Sequence, residues 1–341
     1  MKNPLINGEE KTMKQILLNE TGGVDKLKLV EAKKPIPGEG EVLVKIHAAS
    51  VNFIDTIIRE GNMPPGMMPE LPFVPGVEGT GVIEDANGTG LEVGQKVGFL
   101  GVIGSATYAE YALVKADKLV VLPDTIDLNA AAVIPVNYVT AYHMFKNVAK
   151  VKEGDKVIVY AAAGGVGTAL VQISKILGVE VIALERRDEK VKTALEMGAK
   201  FAFNTSKENW VDDVKKTVGE NAIQHVFNPV AGDSVQNDLE LLAPLGNIVI
   251  FGILGGYGKS SLMEETFKYF SKAPTLSFSE IYATYFNEYN KIEEALKQLY
   301  AWLEEGKISP VYSILPLEDA VKAHEMIESG KVRGKLLLVN S

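Results

Sequence analysis

The residues best suited to chemistry are Val157-Ile-Val-Tyr-Ala-Ala-Ala-Gly-Gly-Val-Gly167, where an apolar run meets a glycine turn and then a helical pattern. The turn reads Ala162-x-Gly164-x-x-Gly167, a Gly-x-Gly-x-x-Gly fingerprint with alanine in first place. The physics survives that change. Gly164 lets backbone approach a pyrophosphate, and Gly167 allows close helix–strand packing. Over Ala163, Gly164, Gly165, Val166 and Gly167, the helix start offers N–H groups and a positive dipole end to phosphates. A second strand ends at Leu184–Glu185, about 18 residues beyond Gly167 and close to the expected spacing of about 20. Its tip carries both signs of charge: Glu185, then Arg186, Arg187 and Lys190. A carboxylate there accepts ribose hydroxyls, whereas cations hold the 2′-phosphate of NADPH. Glu185 either pairs with one of these cations or turns away. The cluster favours NADPH over NADH. The bland alternative is a solvated helix start, since Asp188 and Glu189 stand in a first turn, where acids belong.

Other chemistries are excluded by what the chain lacks. Its 341 residues contain no cysteine, which rules out disulfides, thiolate catalysis and any zinc site with sulfur ligands. The four histidines, His47, His143, His225 and His324, show no ligand spacing, so no metal is expected and core or surface roles are. A formal charge of −9 speaks against nucleic-acid binding. No apolar run reaches the roughly 18 residues of a membrane span, and Met1–Thr12 lacks a signal-peptide core. The expectation is a cytoplasmic enzyme with a flexible extension over residues 1–12.

These residues need elements to position them. The first third is β-rich, with short apolar runs at Gln15–Leu18, Glu41–Ala48, Gly79–Glu84 and Tyr108–Val114 between Gly/Pro stops. Met63–Pro75, rich in proline and methionine, reads as a loop. From Asn129 a helical stretch begins, followed by strands at Lys156–Tyr160, Glu180–Leu184, Phe201–Phe203, Ile223–Asn228 and Asn247–Gly252. Helices lie between them, and the alternation specifies a doubly wound parallel sheet. Asn290–Glu305 is amphipathic and helical. The lone strand Lys335–Val339 pairs most simply back onto the N-terminal β-rich unit.

In order along the chain, Val51-Asn-Phe-Ile-Asp-Thr56, Pro75-Gly-Val-Glu-Gly-Thr-Gly81, Val93-Gly-Gln-Lys-Val97, Tyr108-Ala-Glu-Tyr111, Thr140-Ala-Tyr142, Ala161–Gly167 and Gly334-Lys-Leu-Leu-Leu338 resemble the medium-chain dehydrogenase/reductase superfamily. The resembling branch is that of zinc-independent quinone oxidoreductases related to zeta-crystallin. It implies an α/β protein with two domains. One is a GroES-like β-barrel catalytic domain over 13–135, completed by 283–341; the other is a Rossmann nucleotide-binding domain over 136–282. Where zinc-dependent relatives carry a cysteine and a histidine, this chain has Asn52 and Val77.

The resemblance further implies that Asn52 and Asp55 lie beside the nicotinamide and the substrate. A local cap, or an ion pair with Arg59, would explain Asp55 equally well. Thr140, Asn228, Phe251, Gly252, Gly334 and Lys335 match cofactor-side positions. Family members often carry tyrosines where this chain has Ile57 and Met63, and one of these resembles the proton donor of enoyl-thioester reductases. The implied reaction is NADPH-dependent, zinc-free hydride transfer to a quinone or another electron-poor α,β-unsaturated carbonyl. The alternatives are an enoyl-thioester or alkenal reductase and a non-catalytic NADPH-binding protein of the crystallin or RNA-binding kind. A homodimer is implied, with Pro274–Tyr282 as an edge for association.

Overall fold

The computed structural model describes residues 11–64, 66–259 and 261–340; most of the expected N-terminal extension therefore lies outside the described residues. The chain forms two compact units, 1–135 with 312–341 and 136–311.

The first unit opens with β1 (Thr12–Leu18), β2 (Leu27–Lys33) and β3 (Glu41–Val51), then α1 (Phe53–Glu60). β4 (Glu78–Asp85), β5 (Lys96–Leu100), β6 (Tyr111–Lys115), β7 (Val120–Val121) and α2 (Leu128–Ala132) follow. The long strand β3 is central because nearly all of its residues are buried, so it can pair on both edges. β4 lies antiparallel along one edge and β6 along part of the other. Val44, Ile46, Phe99 and Leu336 share one core. β1 and β2 form a separate two-stranded sheet.

The second unit holds α3 (Val139–His143), β8 (Lys156–Tyr160), α4 (Gly165–Leu177), β9 (Glu180–Glu185), α5 (Asp188–Met197), β10 (Phe201–Asn204) and α6 (Trp210–Val218). It continues with β11 (Ile223–Asn228), α7 (Ser234–Leu241), β12 (Leu242–Ile250), α8 (Leu262–Lys268), β13 (Thr275–Phe278), α9 (Ile281–Asn287) and α10 (Tyr289–Glu304). The sheet order is β10-β9-β8-β11-β12-β13 and every pairing is parallel. This is the doubly wound Rossmann order, with the chain reversing direction across the sheet beside β8. β8 is apolar because helices cover both its faces, and Ile158 packs with Ile182, Val226 and Ile248 in the core.

The chain then returns to the first unit with β14 (Tyr312–Pro316), α11 (Ala320–Glu328) and β15 (Lys335–Val339). β15 lies antiparallel against β3, Leu336 opposite Val51, as the lone C-terminal strand predicts. One boundary needs correction. Residues 283–311 belong to the second unit, not to the barrel. Helix α10 buries Ile292, Leu296 and Leu299 and packs on α3 and α9, while Thr284 Oγ1 lies 3.3 Å from His143 Nε2. An amphipathic pattern shows that a helix has an inner face but not which partner that face meets.

Candidate active site

The turn after β8 is built by close approach. Ala161 takes a left-handed conformation (φ 50°), and the Gly164 N–H donates back to its carbonyl at 2.8 Å. A Cβ on Gly167 would stand 2.2 Å from the Ala161 oxygen, and one on Gly165 would stand 2.4 Å from Asn137 Nδ2. Gly167 meets backbone and requires glycine, whereas a side chain at Gly165 would have to displace the Asn137 amide. No side chain caps α4, so the N–H groups of Gly165, Val166 and Gly167 lack intrahelical partners and point out of the helix start. The structure thus divides the predicted phosphate cradle. The Ala163 and Gly164 N–H groups are used inside the protein, and the next three remain for a ligand. This cradle, which added Cβ atoms would block, fits a dinucleotide pyrophosphate.

The Ala163 N–H goes to Glu185, whose Oε1 accepts it at 2.6 Å. Glu185 is buried at the end of β9, and burial raises its carboxyl pKa, opposed by the Ala163 N–H and by the charge of Lys190. The carboxylate has therefore turned inward. Arg186 and Arg187 are exposed and Lys190 half-buried; Arg187 Nη1 lies 3.7 Å from Glu189.

Of the remaining predicted contacts in this unit, Thr140 is half-buried on α3. The Asn228 side chain is fully committed, donating to Ser234 Oγ and Asp238 Oδ2 and accepting from the Val230 and Ala231 N–H groups. Only its backbone is left to meet a cofactor. Gly252 passes so close to Pro229 that a Cβ would stand 2.7 Å from its carbonyl oxygen. Phe251 and Gly252 border a cavity of about 580 Å³ beyond the ends of β12 and β13, lined also by Tyr257, Leu262 and Phe278.

The barrel unit carries a second cluster, and this one is closed. Asn52 precedes α1, and its N–H donates to Asp55 Oδ2 at 2.8 Å. Asp55 is thus the local cap, and Arg59 pairs instead with Glu60 and Glu328. Asn52 Nδ2 donates to Glu78 Oε1 at 2.9 Å. Lys335 Nζ donates to Asn52 Oδ1 and lies 2.8 Å from Glu78 Oε1. Glu78 and Lys335 are 0% and 4% exposed, so the Lys335 ammonium is committed to a buried ion pair. Its neighbour Gly334 takes a positive φ of 66°. Tyr108 OH donates to Asp55 Oδ2 at 3.0 Å and lies 3.4 Å from His324 Nε2. Burial pushes the Asp55 carboxyl up to about 6 despite the donors around it, and holds His324 down at about 3, neutral at physiological pH.

Sequence reasoning named Asn52 and Asp55 as catalytic and Lys335 as cofactor-side, whereas the structure joins the three through Glu78 and adds Tyr108 and His324, none of which it named as partners. Glu78 had a signal, the lone acid of the Pro-Gly-Val-Glu segment. His324, 216 residues beyond Tyr108 in sequence, had none.

Comparison with known proteins agrees with both units. Residues 38–124 match the alcohol dehydrogenase GroES-like domain, and 165–302 match the family described as zinc-binding dehydrogenase. A quinone oxidoreductase from Sus scrofa is 33% identical over 97% of this chain and 98% of its own. The chain belongs to the quinone oxidoreductase family of medium-chain dehydrogenases/reductases. The enzyme is an oxidoreductase. It is also 29% identical, over 95% of its length and 98% of the relative's, to a 2-haloacrylate reductase from Burkholderia. The Escherichia coli quinone oxidoreductase structure complexed with NADPH superposes with a TM-score of 0.86 at 28% identity, covering 96% of this chain and all of that one. Among the described residues no helix is long and apolar enough to cross a membrane.

Proposed function

We propose that the enzyme reduces quinones and other electron-poor α,β-unsaturated carbonyls with NADPH, by hydride transfer and without zinc. The observation that carries this reading is the preformed cradle of Gly165, Val166 and Gly167 N–H groups, with Arg186, Arg187 and Lys190 at the neighbouring strand end. When bound, the reduced nicotinamide supplies the hydride. The chain's own part is to hold the pyrophosphate on the cradle, draw the 2′-phosphate with the three cations, and receive the cofactor along Thr140, the Asn228 backbone, Phe251 and Gly252. Gly334 lies with the cofactor-side residues in this reading.

A two-electron reduction also consumes a proton. The buried acid Asp55 is tied to Asn52 and Tyr108, and water serves as the donor. The zinc-free reading rests on the absence of cysteine, on Val77 before Glu78, and on the pairing of Glu78 with an ammonium. The edge strand β13, with Phe278 73% exposed, would pair two copies into a dimer.

The test is an acceptor screen with NADPH against 1,4-benzoquinone, simple enones and crotonyl-CoA. Oxidation with quinone or enone is expected. Turnover of crotonyl-CoA alone would replace this reading with a thioester reductase, and tight NADPH binding with no turnover would make the protein a non-catalytic binder.

A further inference from the structure

One buried carboxylate ties together two strand ends at the point where the doubly wound sheet reverses. β8 and β11 are parallel neighbours, Val159 opposite Phe227, and the next residues, Tyr160 and Asn228, end the two strands. Asp238 reaches both from the middle of α7. Its Oδ1 accepts from the Tyr160 hydroxyl at 2.7 Å and its Oδ2 accepts from Asn228 Nδ2. Asp238 and Asn228 are 0% exposed, and Tyr160 is buried with them. Burial pushes the Asp238 carboxyl up to about 7, and only these two neutral donors pull it down. Among the described residues no cation pairs with it. A charge in such a place depends on donors that are held still.

Each of the two strand ends leads into a strained turn. Ala161 follows Tyr160 at φ 50°, and Ala231 lies three residues after Asn228 at φ 57°. Alanine keeps this left-handed backbone only where its surroundings hold it. The Ala161 carbonyl accepts the Gly164 N–H within the glycine turn. Asn228 Oδ1 accepts from the Val230 and Ala231 N–H groups. The Val230 carbonyl in turn accepts the Gly255 N–H at 2.7 Å, next to Gly252 and Gly256 on the wall of the cavity. The carboxylate thus stands between the phosphate cradle and the cavity, and each is joined to it by a single side chain.

We propose that Asp238 is a positioning residue for the cofactor: without touching it, the carboxylate holds the glycine turn and the turn at 229–231 at a fixed spacing across the sheet. This rests on the dinucleotide reading of the glycine turn and adds to it a residue sealed from any ligand. Hydrogen bonds to a charged acceptor are the strong ones, so the two links hold the strained turns more firmly than neutral pairs would. A rigid spacing matters because a dinucleotide must meet both turns at once.

Calorimetry of NADPH binding at pH 8, where the carboxylate is charged, tests this, with urea unfolding to show how much of each variant is folded. Asp238→Leu fills the space and removes both acceptors. NADPH affinity of the folded variant should fall about tenfold or more, since displacing a positioned group can cost up to about a hundredfold. Tyr160→Phe cuts only the β8 link and should weaken binding by about three- to fivefold. Asp238→Asn keeps polar atoms for both neighbours and should recover most of the affinity lost in Asp238→Leu. In Tyr160→Phe/Asp238→Leu the missing hydroxyl should add nothing further, because Asp238 acts through it. If Asp238→Leu does not fold, Tyr160→Phe decides alone. Variants that lose stability but keep NADPH affinity within about twofold of wild type would make Asp238 a support of the core only. The proposal then fails while the dinucleotide reading stands, and full additivity in the double variant defeats it as well. If the wild-type protein binds no NADPH, both fall.

Discussion

The two polar clusters differ in what they leave undone. The glycine turn of the Rossmann unit keeps three backbone N–H groups unpaired at the start of α4. The barrel cluster leaves almost nothing: Asn52, Asp55, Glu78, Tyr108 and Lys335 use their polar atoms on one another. Unpaired N–H groups at this half-buried helix start are open to an anionic ligand. A satisfied network instead fixes its members in place. Composition alone would have suggested the reverse, because the barrel holds the acids, the lysine and the histidine while the turn is alanine and glycine.

The largest test of this contrast is Gly167→Val. Its Cβ would enter at 2.2 Å from the Ala161 oxygen and 2.6 Å from the Ala162 Cα, both backbone atoms. The turn must open, moving the donors off the phosphates. NADPH affinity should fall by about a hundredfold or more, since the close helix–strand packing at this glycine positions the cradle. Calorimetric affinity close to wild type would mean that the turn is not the phosphate site.

How much of this was legible in the sequence follows from the same contrast. The turn was readable because its parts are local: β8, three glycines and α4 are contiguous, and Gly164 and Gly167 pass close to the Ala161 backbone. The parallel strands were readable because each is a short apolar run bounded by helices. Their order across the sheet came from the resemblance. The barrel cluster was only half readable. Asn52 and Asp55 are three residues apart and form a cap, but Lys335 reaches them from the far end of the chain because β15 pairs with β3. Antiparallel barrels bring distant residues together, and no periodicity announces which will meet. Helix α10 failed for a related reason: a stripe of apolar residues states that a partner exists without naming it.

A smaller effect, on stability, is expected from Lys335→Met. It would leave the buried Glu78 carboxylate without its ammonium partner, and removing one partner of a buried ion pair costs about 3–5 kcal/mol. Denaturant unfolding measures this, and adding Glu78→Gln should restore most of the loss, because the orphaned charge goes with it. The same variant sharpens the contrast between the clusters. If the Lys335 ammonium serves only the barrel network, NADPH affinity of the folded variant stays at the wild-type value. A large drop in affinity with little loss of stability would instead assign Lys335 to the cofactor.

The smallest effect concerns the pH dependence of Asp55. Its carboxyl is raised from 3.8 to about 6, chiefly by burial, with the Asn52 N–H, the Tyr108 hydroxyl and Lys335 pulling the other way. The raised value means that the folded state holds its proton more tightly than the unfolded chain does. The carboxyl therefore stabilises the fold most fully below about pH 4, and that contribution fades as pH rises through about 6. Asp55→Asn retains an oxygen to accept the Asn52 N–H but cannot titrate. The stability difference, wild type minus variant, should fall by about 2 kcal/mol between pH 4 and pH 6 and level off above about pH 7. Urea unfolding midpoints at several pH values measure it. A difference that is flat, or that rises with pH, would show that the donors around Asp55 outweigh its burial. The barrel cluster would then be a carboxylate site poised for charge, closer in kind to the glycine turn than its closed geometry implies.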